Sequence, residues 1–507
     1  MMIEEIAAKR QKDEIDRISE LPDFILHVIL SKLGTKEACR ATVLSKRWYE
    51  AWSSIPVLDF QPQYFKKGVC FDSWKYDDEF YDDDMVESYV GFIDKTMQRY
   101  DVQKYRIKRL YLEFPKVDEK LEPLVDKWIG IAVQNQIEEL HVKILLDCSP
   151  DCKLPESIYN AKSLKVLNCQ NVNLAYNNTI ELISLEYLTL LMGTINEDML
   201  QRIVSFSPLI ELDISKGGLK RISLPWTKNV NVVKASPLRK FVYHGLCEFI
   251  AWPWNMNVVA LKNLRRLEIH CATITDDILY KVVCGLVALE SLVLTACTMM
   301  NCIKISSISL KEFRIVEGIG LSKTIIDAPN LVKFWYHCEV EASLSLIRVH
   351  EHCNAHFFPV AESLTSVWFA ALKKFLIETN CFKSLVMDLS ECDQIMVVED
   401  EQRNDVTGPP YKLRELKLNE TSAWDFTEAS LTVFLDGLFW SCQPDLVSMT
   451  ASFQNKSAEL ILNILKRKVK CWKHPLKSIE LEAADCSSLL SGPSEFEIRF
   501  RLSWLSV

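Results

Sequence analysis

A six-residue pattern, apolar-x-x-apolar-x-apolar, returns along most of this 507-residue chain and limits its fold more than any other feature. It stands at Ile107-Lys-Arg-Leu110-Tyr-Leu112, Ile137-Glu-Glu-Leu140-His-Val142, Leu164-Lys-Val-Leu167-Asn-Cys169 and Leu185-Glu-Tyr-Leu188-Thr-Leu190. Further copies begin at Leu209, Leu238, Leu264, Leu289, Leu310, Leu331, Leu364, Phe382, Leu413, Leu446 and Leu476, about fifteen in all and roughly 18 to 33 residues apart. The last two apolar positions alternate with polar residues, as a short half-buried strand requires, and the first leucine fixes the turn into it. Between them, segments such as Ile195 to Phe206 and Thr275 to Leu286 place apolar residues at helical spacing, so each unit reads as a strand plus a helix or an irregular return. Such a unit cannot bury its apolar face alone. Stacked copies, with parallel strands about 4.8 Å apart, predict a curved sheet roughly 70 Å long.

The pattern resembles the leucine-rich repeat over roughly residues 105–482. The asparagine or cysteine that the family carries shortly after the strand is recognisable in places, most clearly at Cys169 and Cys297, which implies irregular loops and uneven curvature. Insertions are expected where the spacing stretches, from Leu331 to Leu364 and from Phe382 to Leu446, the clearest being Glu399 to Asp405 followed by Gly408-Pro409-Pro410. The expected fold class is α/β: a small helical module followed by a solenoid with a curved parallel sheet on one side and helices and irregular loops on the outer side.

That module begins at Leu21-Pro22-Asp23 and runs into Phe24 to Leu33. Pro22 suits a first helical turn, where its absent N–H costs nothing, and Leu21, Ile25, Ile29 and Leu33, joined by Leu26 and Leu30, form a broad apolar stripe. Thr35 is placed to cap a second helix with the small residues Ala38, Ala41 and Thr42, and Leu44, Trp48 and Trp52 then recur every four residues. Three short helices in about 45 residues hold too little core to stand alone, and so wide an apolar face awaits a partner.

Asp16-Arg17-Ile18-Ser19, Leu21-Pro22-Asp23, Ile29-Leu30-Ser31, Thr35-Lys36-Glu37-Ala38 and Val43-Leu44-Ser45-Lys46-Arg47-Trp48 with Trp52 resemble the plant F-box. The likeness covers residues 16–60 and includes Val57-Leu58-Asp59-Phe60, similar to the strand that follows the module in plant F-box/leucine-rich-repeat proteins. Ala51 departs from it, standing where a leucine usually precedes the last tryptophan. The segments 124–129, 471–476 and 498–504 are similar to parts of the same family. The resemblance implies docking on a Skp-type adaptor, held in turn by a cullin scaffold with a RING subunit, so that the repeats select a protein target for ubiquitination. The adaptor-facing positions it implies are Leu21, Pro22, Ile25, Leu26, Ile29, Leu30, Leu44 and Trp48. Some of these, Ile25, Leu44 and Trp48 especially, have the alternative of closing the module's own core. Two other functions stay open: a non-degradative repeat-based binding module, and a hormone-sensing receptor, whose inositol phosphate would need several Lys or Arg in one pocket.

Composition narrows the rest. A net charge of −9 gives no drive toward nucleic acid or anionic membrane. The stretch Ile278 to Leu294 is broken by Lys281 and Glu290, and Met1 to Ile6 runs straight into Lys9, Arg10 and Lys12, so neither a membrane span nor a secretory signal is expected. A cytoplasmic or nuclear location follows. The 17 cysteines are odd in number and lack C-x-x-C, which reads as reduced, buried thiols. With 14 glycines there is no phosphate loop, dinucleotide fingerprint or nucleophile elbow, so no catalytic residue and no cofactor is expected. Any effect on a target's reaction would come from holding it in place.

Residues between the inward leucines point out of the strand face: Tyr111, His141, Asn168, Thr189, Asp213, Val242, Glu268, Val293, Arg314, Trp335, Trp368, Val386, Lys417, Thr450 and Glu480. Arg266, His270, Arg314, Trp335, His337 and Trp368 fall on neighbouring rungs and make the candidate target-binding patch, since Trp and Arg dominate binding hot spots. The alternative is ordinary filling of a tight inner surface. His350, His352, Cys353 and His356 lie within seven residues, but their spacing matches no zinc motif, and no metal site is assigned. The acidic run 77–84 reads as a solvated loop, with a docking site for a basic partner as the alternative, and 466–470 as a basic helical face or an import signal. The chain thus divides into a charged tail (1–15), the F-box (16–60), an acidic and aromatic linker with a helix (61–104), the repeats (105–482) and a C-terminal cap segment (483–507).

Overall fold

In the computed structural model the first helix, α1 (Asp23–Leu30), starts on Pro22 and stops three residues short of the stripe's end at Leu33. Its last turn tightens, with Lys32 N donating to Ile29 O and Leu33 N to Leu30 O, and Leu33 is left exposed. The second helix, α2 (Thr35–Arg40), is not capped by Thr35, whose hydroxyl instead accepts a 2.6 Å bond from the Asp59 N–H and ties α2 to the following strand. Helix α3 (Lys46–Ser53) is capped by Ser45, whose Oγ accepts from Trp48 N. Arg47 on α3 clasps Asp23 on α1 through Nε and Nη2 at 2.9 and 2.6 Å.

The structure describes residues 21–65, 83–145, 152–174, 181–193, 195, 202–203, 207–216, 237–245, 261–298, 300–318, 320–360, 363–388, 394–395, 409–419, 428–452, 464, 476–485 and 495–504. The charged tail, the acidic run through 82, most of the helix expected from Ile195, the insertion 399–408 and the basic stretch 466–470 lie outside the described residues. The chain forms two compact units, one from residues 1–241 with 255–260 and one from 242–254 with 261–507.

In the first unit β1 (Val57–Phe60) opens a parallel sheet, pairing Val57 with Arg109 of β2 (Arg109–Phe114). Between them α4 (Asp83–Gln103) buries Tyr89, Ile93, Met97 and Tyr100 on one face, and the Tyr100 hydroxyl donates to Ile55 O at 2.6 Å. Helix α5 (Glu122–Gln134) follows, joined to α4 where Asp94 accepts from Lys127 Nζ and Trp128 Nε1. The sheet continues in unbroken register through β3 (Glu139–Ile144), β4 (Val166–Gln170), β5 (Tyr187–Gly193) and β6 (Glu211–Lys216), until a bulge near Gly193. Each hexamer buries its leucines on one face, as the period of two demands. One carbonyl per rung accepts both N–H groups of the next turn: Lys108 O from Glu138 and Glu139, Glu138 O from Lys165 and Val166. Cys169 is a fully buried strand residue; the bond to the preceding rung is made by Asn171, left-handed at φ 56°, whose amide donates to Ile144 O at 2.7 Å.

Strand β7 (Lys240–His244) spans the division between units. In the second unit β8 (Arg266–His270) is followed by α6 (Asp276–Gly285) and β9 (Ser291–Thr295). Here Cys297 does hold the ladder, its thiol donating to Ile269 O. Beyond β9 the returns are strands rather than helices: β10 (Cys302–Ser306), β12 (Lys323–Ala328) and β14 (Ser343–Val349) form a second parallel sheet, alternating with β11 (Glu312–Gly318), β13 (Lys333–Glu339) and β15 (Asn354–Val360) of the main one. A two-residue strand β16 (Ser363–Leu364) then leads into α7 (Ser366–Thr379). The main sheet goes on through β17 (Phe382–Asp388), and a short β18 (Gln394–Ile395) pairs with β16. Parallel order ends with β19 (Tyr411–Asn419), helix α8 (Glu428–Ser441) and β20 (Cys442–Ser452). The last copy, at Leu476, is not another parallel rung. Strand β21 (Leu476–Asp485) pairs antiparallel with β22 (Glu495–Trp504), which lies between it and β20.

Candidate functional site

Two surfaces stand out, one in each unit. In the helical module, Leu26 and Leu30 have no exposed surface and Trp48 retains 4%, so these three close the module's own core. Pro22 is exposed, and Leu21, Ile25 and Ile29 are half-buried. Leu44 ends the short 3₁₀ turn Ala41–Leu44 and is 60% exposed, beside Val43 at 86%. Phe24 and Val28 on α1 and Tyr49 on α3 are exposed as well. They flank the apolar stripe rather than lie on it, yet a segment reading Phe24-Ile-Leu-His-Val28-Ile-Leu is apolar nearly all round and cannot hide every side. Apolar surface so dense on a short helical module is of the kind that partners cover.

The second surface is the outward face of the main sheet in the second unit. Register places Glu268, Val293, Arg314, Trp335 and His356 in one row across β8, β9, β11, β13 and β15. The Arg314 guanidinium lies 3.9 Å from the Trp335 ring centroid, and the other side of Trp335 stacks on His356 at 5.4 Å and 11°. Glu312 orients Arg314, accepting from its Nε and Nη2 at 2.7 Å, and also takes the Ser291 hydroxyl. Glu268 accepts from Arg266 Nε at 2.6 Å and lies 3.5 Å from His270 Nε2, and His270 stacks on His244 at 4.5 Å. His337 Nδ1 accepts from the backbone N–H of Glu317, a left-handed residue at the bulge of β11. Burial, with help from Lys417 and Arg314, lowers the His356 pKa, and the weaker pull of Glu415 opposes this.

Trp368 does not join that row. The segment from Leu364 folds as helix α7, whose Thr365 cap accepts from Trp368 N, and the indole is buried edge-to-face on Phe369. Its place on the sheet is taken by His356, from a rung whose leading apolar position is the exposed His352 and which the hexamer search therefore passes over. His356 faces Trp335, while His350 and His352 lie at the turn before β15; among the described residues no three His, Cys, Asp or Glu side chains converge as metal ligands. In the first unit Asp59, Tyr111, His141, Asn168, Thr189 and Asp213 share one row, with Tyr111 donating to Glu113 at 2.6 Å. No described helix is long and apolar enough to cross a membrane.

The chain matches the family model described as At1g61320/AtMIF1, LRR domain, over residues 100–227 and 242–438, more than half of its length. It also matches the F-box domain over residues 18–60. It is 30% identical over 205 residues to F-box/LRR-repeat protein 13 of Arabidopsis thaliana, 39% of this chain and 40% of that protein. FBD-associated F-box protein At4g13985 of the same plant is 27% identical over 224 residues, 43% of this chain and 46% of that protein. Putative F-box/LRR-repeat protein At3g18150, also from Arabidopsis thaliana, is 28% identical over 219 residues, 43% and 41% of the two chains. The matches thus span less than half the length of these relatives.

Proposed function

The chain belongs to the At1g61320/AtMIF1 leucine-rich-repeat family and carries an F-box, and on that premise we propose that it is the target-recognition subunit of a Skp-adaptor, cullin and RING ubiquitin ligase. The observation that carries this reading is the exposed apolar surface around Leu44 on a module whose own core is already closed by Leu26, Leu30 and Trp48. Leu21, Pro22, Ile25, Ile29 and Leu44 then meet the adaptor together with Phe24, Val28 and Val43, while Leu26, Leu30 and Trp48 hold the helices that present them. Covering such a patch removes apolar area from water, at about 25 cal/mol per Å², and shields it from self-association.

The repeats supply the second half of the role. Their outward sheet face presents a target, and the ligase gains rate from proximity and orientation, with no reacting group supplied by this chain. The place of action in this reading is the cytoplasm or nucleus, where the adaptor and cullin work. Reconstitution tests the assignment: purified protein mixed with a plant Skp-type adaptor, cullin and RING subunit should elute with them as one complex. Elution of the folded chain apart from the adaptor would remove the ubiquitin assignment and leave a repeat-based binding module.

A further inference from the structure

Resting on the reading that the repeats capture a protein target, we propose that the sheet face of the second unit receives an acidic peptide segment, held by Arg266, Arg314 and Lys417. On three strands of that face an acid and a cation two residues apart share the outward side: Glu268 with Arg266 on β8, Glu312 with Arg314 on β11, and Glu415 with Lys417 on β19. In every pair the acid lies low and the cation high. The Glu268, Glu312 and Glu415 side chains are 15, 16 and 21% exposed, against 43, 39 and 40% for Arg266, Arg314 and Lys417. The charges cancel in number, yet their layering leaves the positive end of each pair outermost, and the nearest charge dominates what an approaching ligand meets.

Arg314 shows why the ligand is acidic rather than aromatic. Both faces of the Trp335 ring are taken, one by the Arg314 guanidinium and one by His356, so the indole offers no open platform for a ring or a methylated ammonium group. Trp335 is a positioning residue for Arg314. Glu312 occupies Nε and Nη2, which leaves Nη1 of Arg314 without a partner among the described residues. A planar donor already fixed in place loses little freedom on meeting a carboxylate. Independently, the buried hydroxyl of Ser384, in register between His356 and Glu415, has no hydrogen-bond partner.

Spacing sets the length of the segment. Strands about 4.8 Å apart put the backbones of Arg266 and Arg314, two strands apart, at about 10 Å, and those of Arg314 and Lys417, four strands apart, at about 19 Å. An extended chain rising about 3.3 Å per residue crosses these gaps in roughly three and six residues, so about ten residues reach all three cations.

The test uses the purified full chain and a fluorescein-labelled 12-residue peptide of alternating Glu and Ser, read by anisotropy. Alternating Gln and Ser, alternating Lys and Ser, and a 12-nucleotide single-stranded oligothymidine are the comparison probes. The Glu peptide should bind, weaken at least tenfold between 50 and 300 mM salt, and lose about tenfold in affinity in the Arg266→Gln, Arg314→Gln double variant. Lys417→Gln, on a distant strand, should lose about threefold and serves if the double variant unfolds. Equal binding of the Gln or Lys peptide, tighter binding of the oligonucleotide, or unchanged affinity in folded variants overturns the proposal. Adaptor binding is scored on the same preparations: a chain that binds adaptor but not the Glu peptide defeats this inference alone, and one that binds the peptide but not adaptor defeats the ligase reading alone.

Discussion

His356 shows how one side chain ties stability to pH. Burial lowers its pKa in the folded chain, and His141 in the first unit is lowered for the same leading reason. The unfolded imidazole titrates near 6.5, so below that pH the unfolded chain binds protons that the folded one refuses. Stability held at neutral pH is therefore lost on acidification through about 6.5. Thermal melts at pH 7.5 and 5.5 should show a smaller drop in His356→Asn than in the wild type, and an equal drop would contradict the assignment. Cysteine chemistry follows burial in the same way: the Cys152 and Cys297 thiols are raised to about 11 and those of Cys338 and Cys442 to about 12, whereas Cys284 is exposed. Among the described thiols, alkylation of native protein should reach Cys284 first, as peptide mapping would show. At this scale the sequence made Arg266, Arg314 and Trp335 visible and placed Glu268 on the outward face, but it did not show that Glu268 and Glu312 orient the two arginines. Their signal was the period of two in Arg266-x-Glu268 and Glu312-x-Arg314, which places acid and cation on the same side of a strand.

At the scale of elements, the hexamer located most strands because its alternation and its first leucine act locally. It failed where tertiary context decides. Leu364-Thr-Ser-Val367-Trp-Phe369 satisfies the pattern, yet the Thr365 cap and the run Phe369, Leu372, Phe375 and Leu376 favour a helix. The strand returns β10 and β12 bury Ile303 and Ile305, and Thr324 and Ile326, at a period of two behind Met300 and Leu321, but a methionine leads the first and a threonine breaks the apolar pattern of the second. The antiparallel end is invisible to a repeat search, since β22 inserts between β20 and β21 only after the chain has turned back. Helix α8 approaches α7 closely enough that a Cβ on Gly437 would stand 2.5 Å from the Phe369 ring. Gly437→Ala should therefore cost roughly 1–3 kcal/mol, measurable as a lowered denaturation midpoint. A midpoint at or above that of the wild type would refute this packing.

For the whole molecule, the claim is a division of labour between a docking module and a repeat face. The F-box was legible as an ordered set of residues, and its fold explains why eight conspicuous apolar positions do not act alike. The 3₁₀ turn swings Leu44 outward, while the helical stripe turns Leu26 and Leu30 inward. The target was not legible, because the repeat specifies its inward leucines and leaves the outward residues free to vary. The most direct measurement is the adaptor affinity of wild type, Leu44→Glu and the double variant Phe24→Ala, Val28→Ala, each with its melting temperature. Both variants should bind at least tenfold more weakly with melting unchanged, because the replaced side chains are exposed and hold none of the module's core. Full adaptor affinity in both folded variants would contradict it.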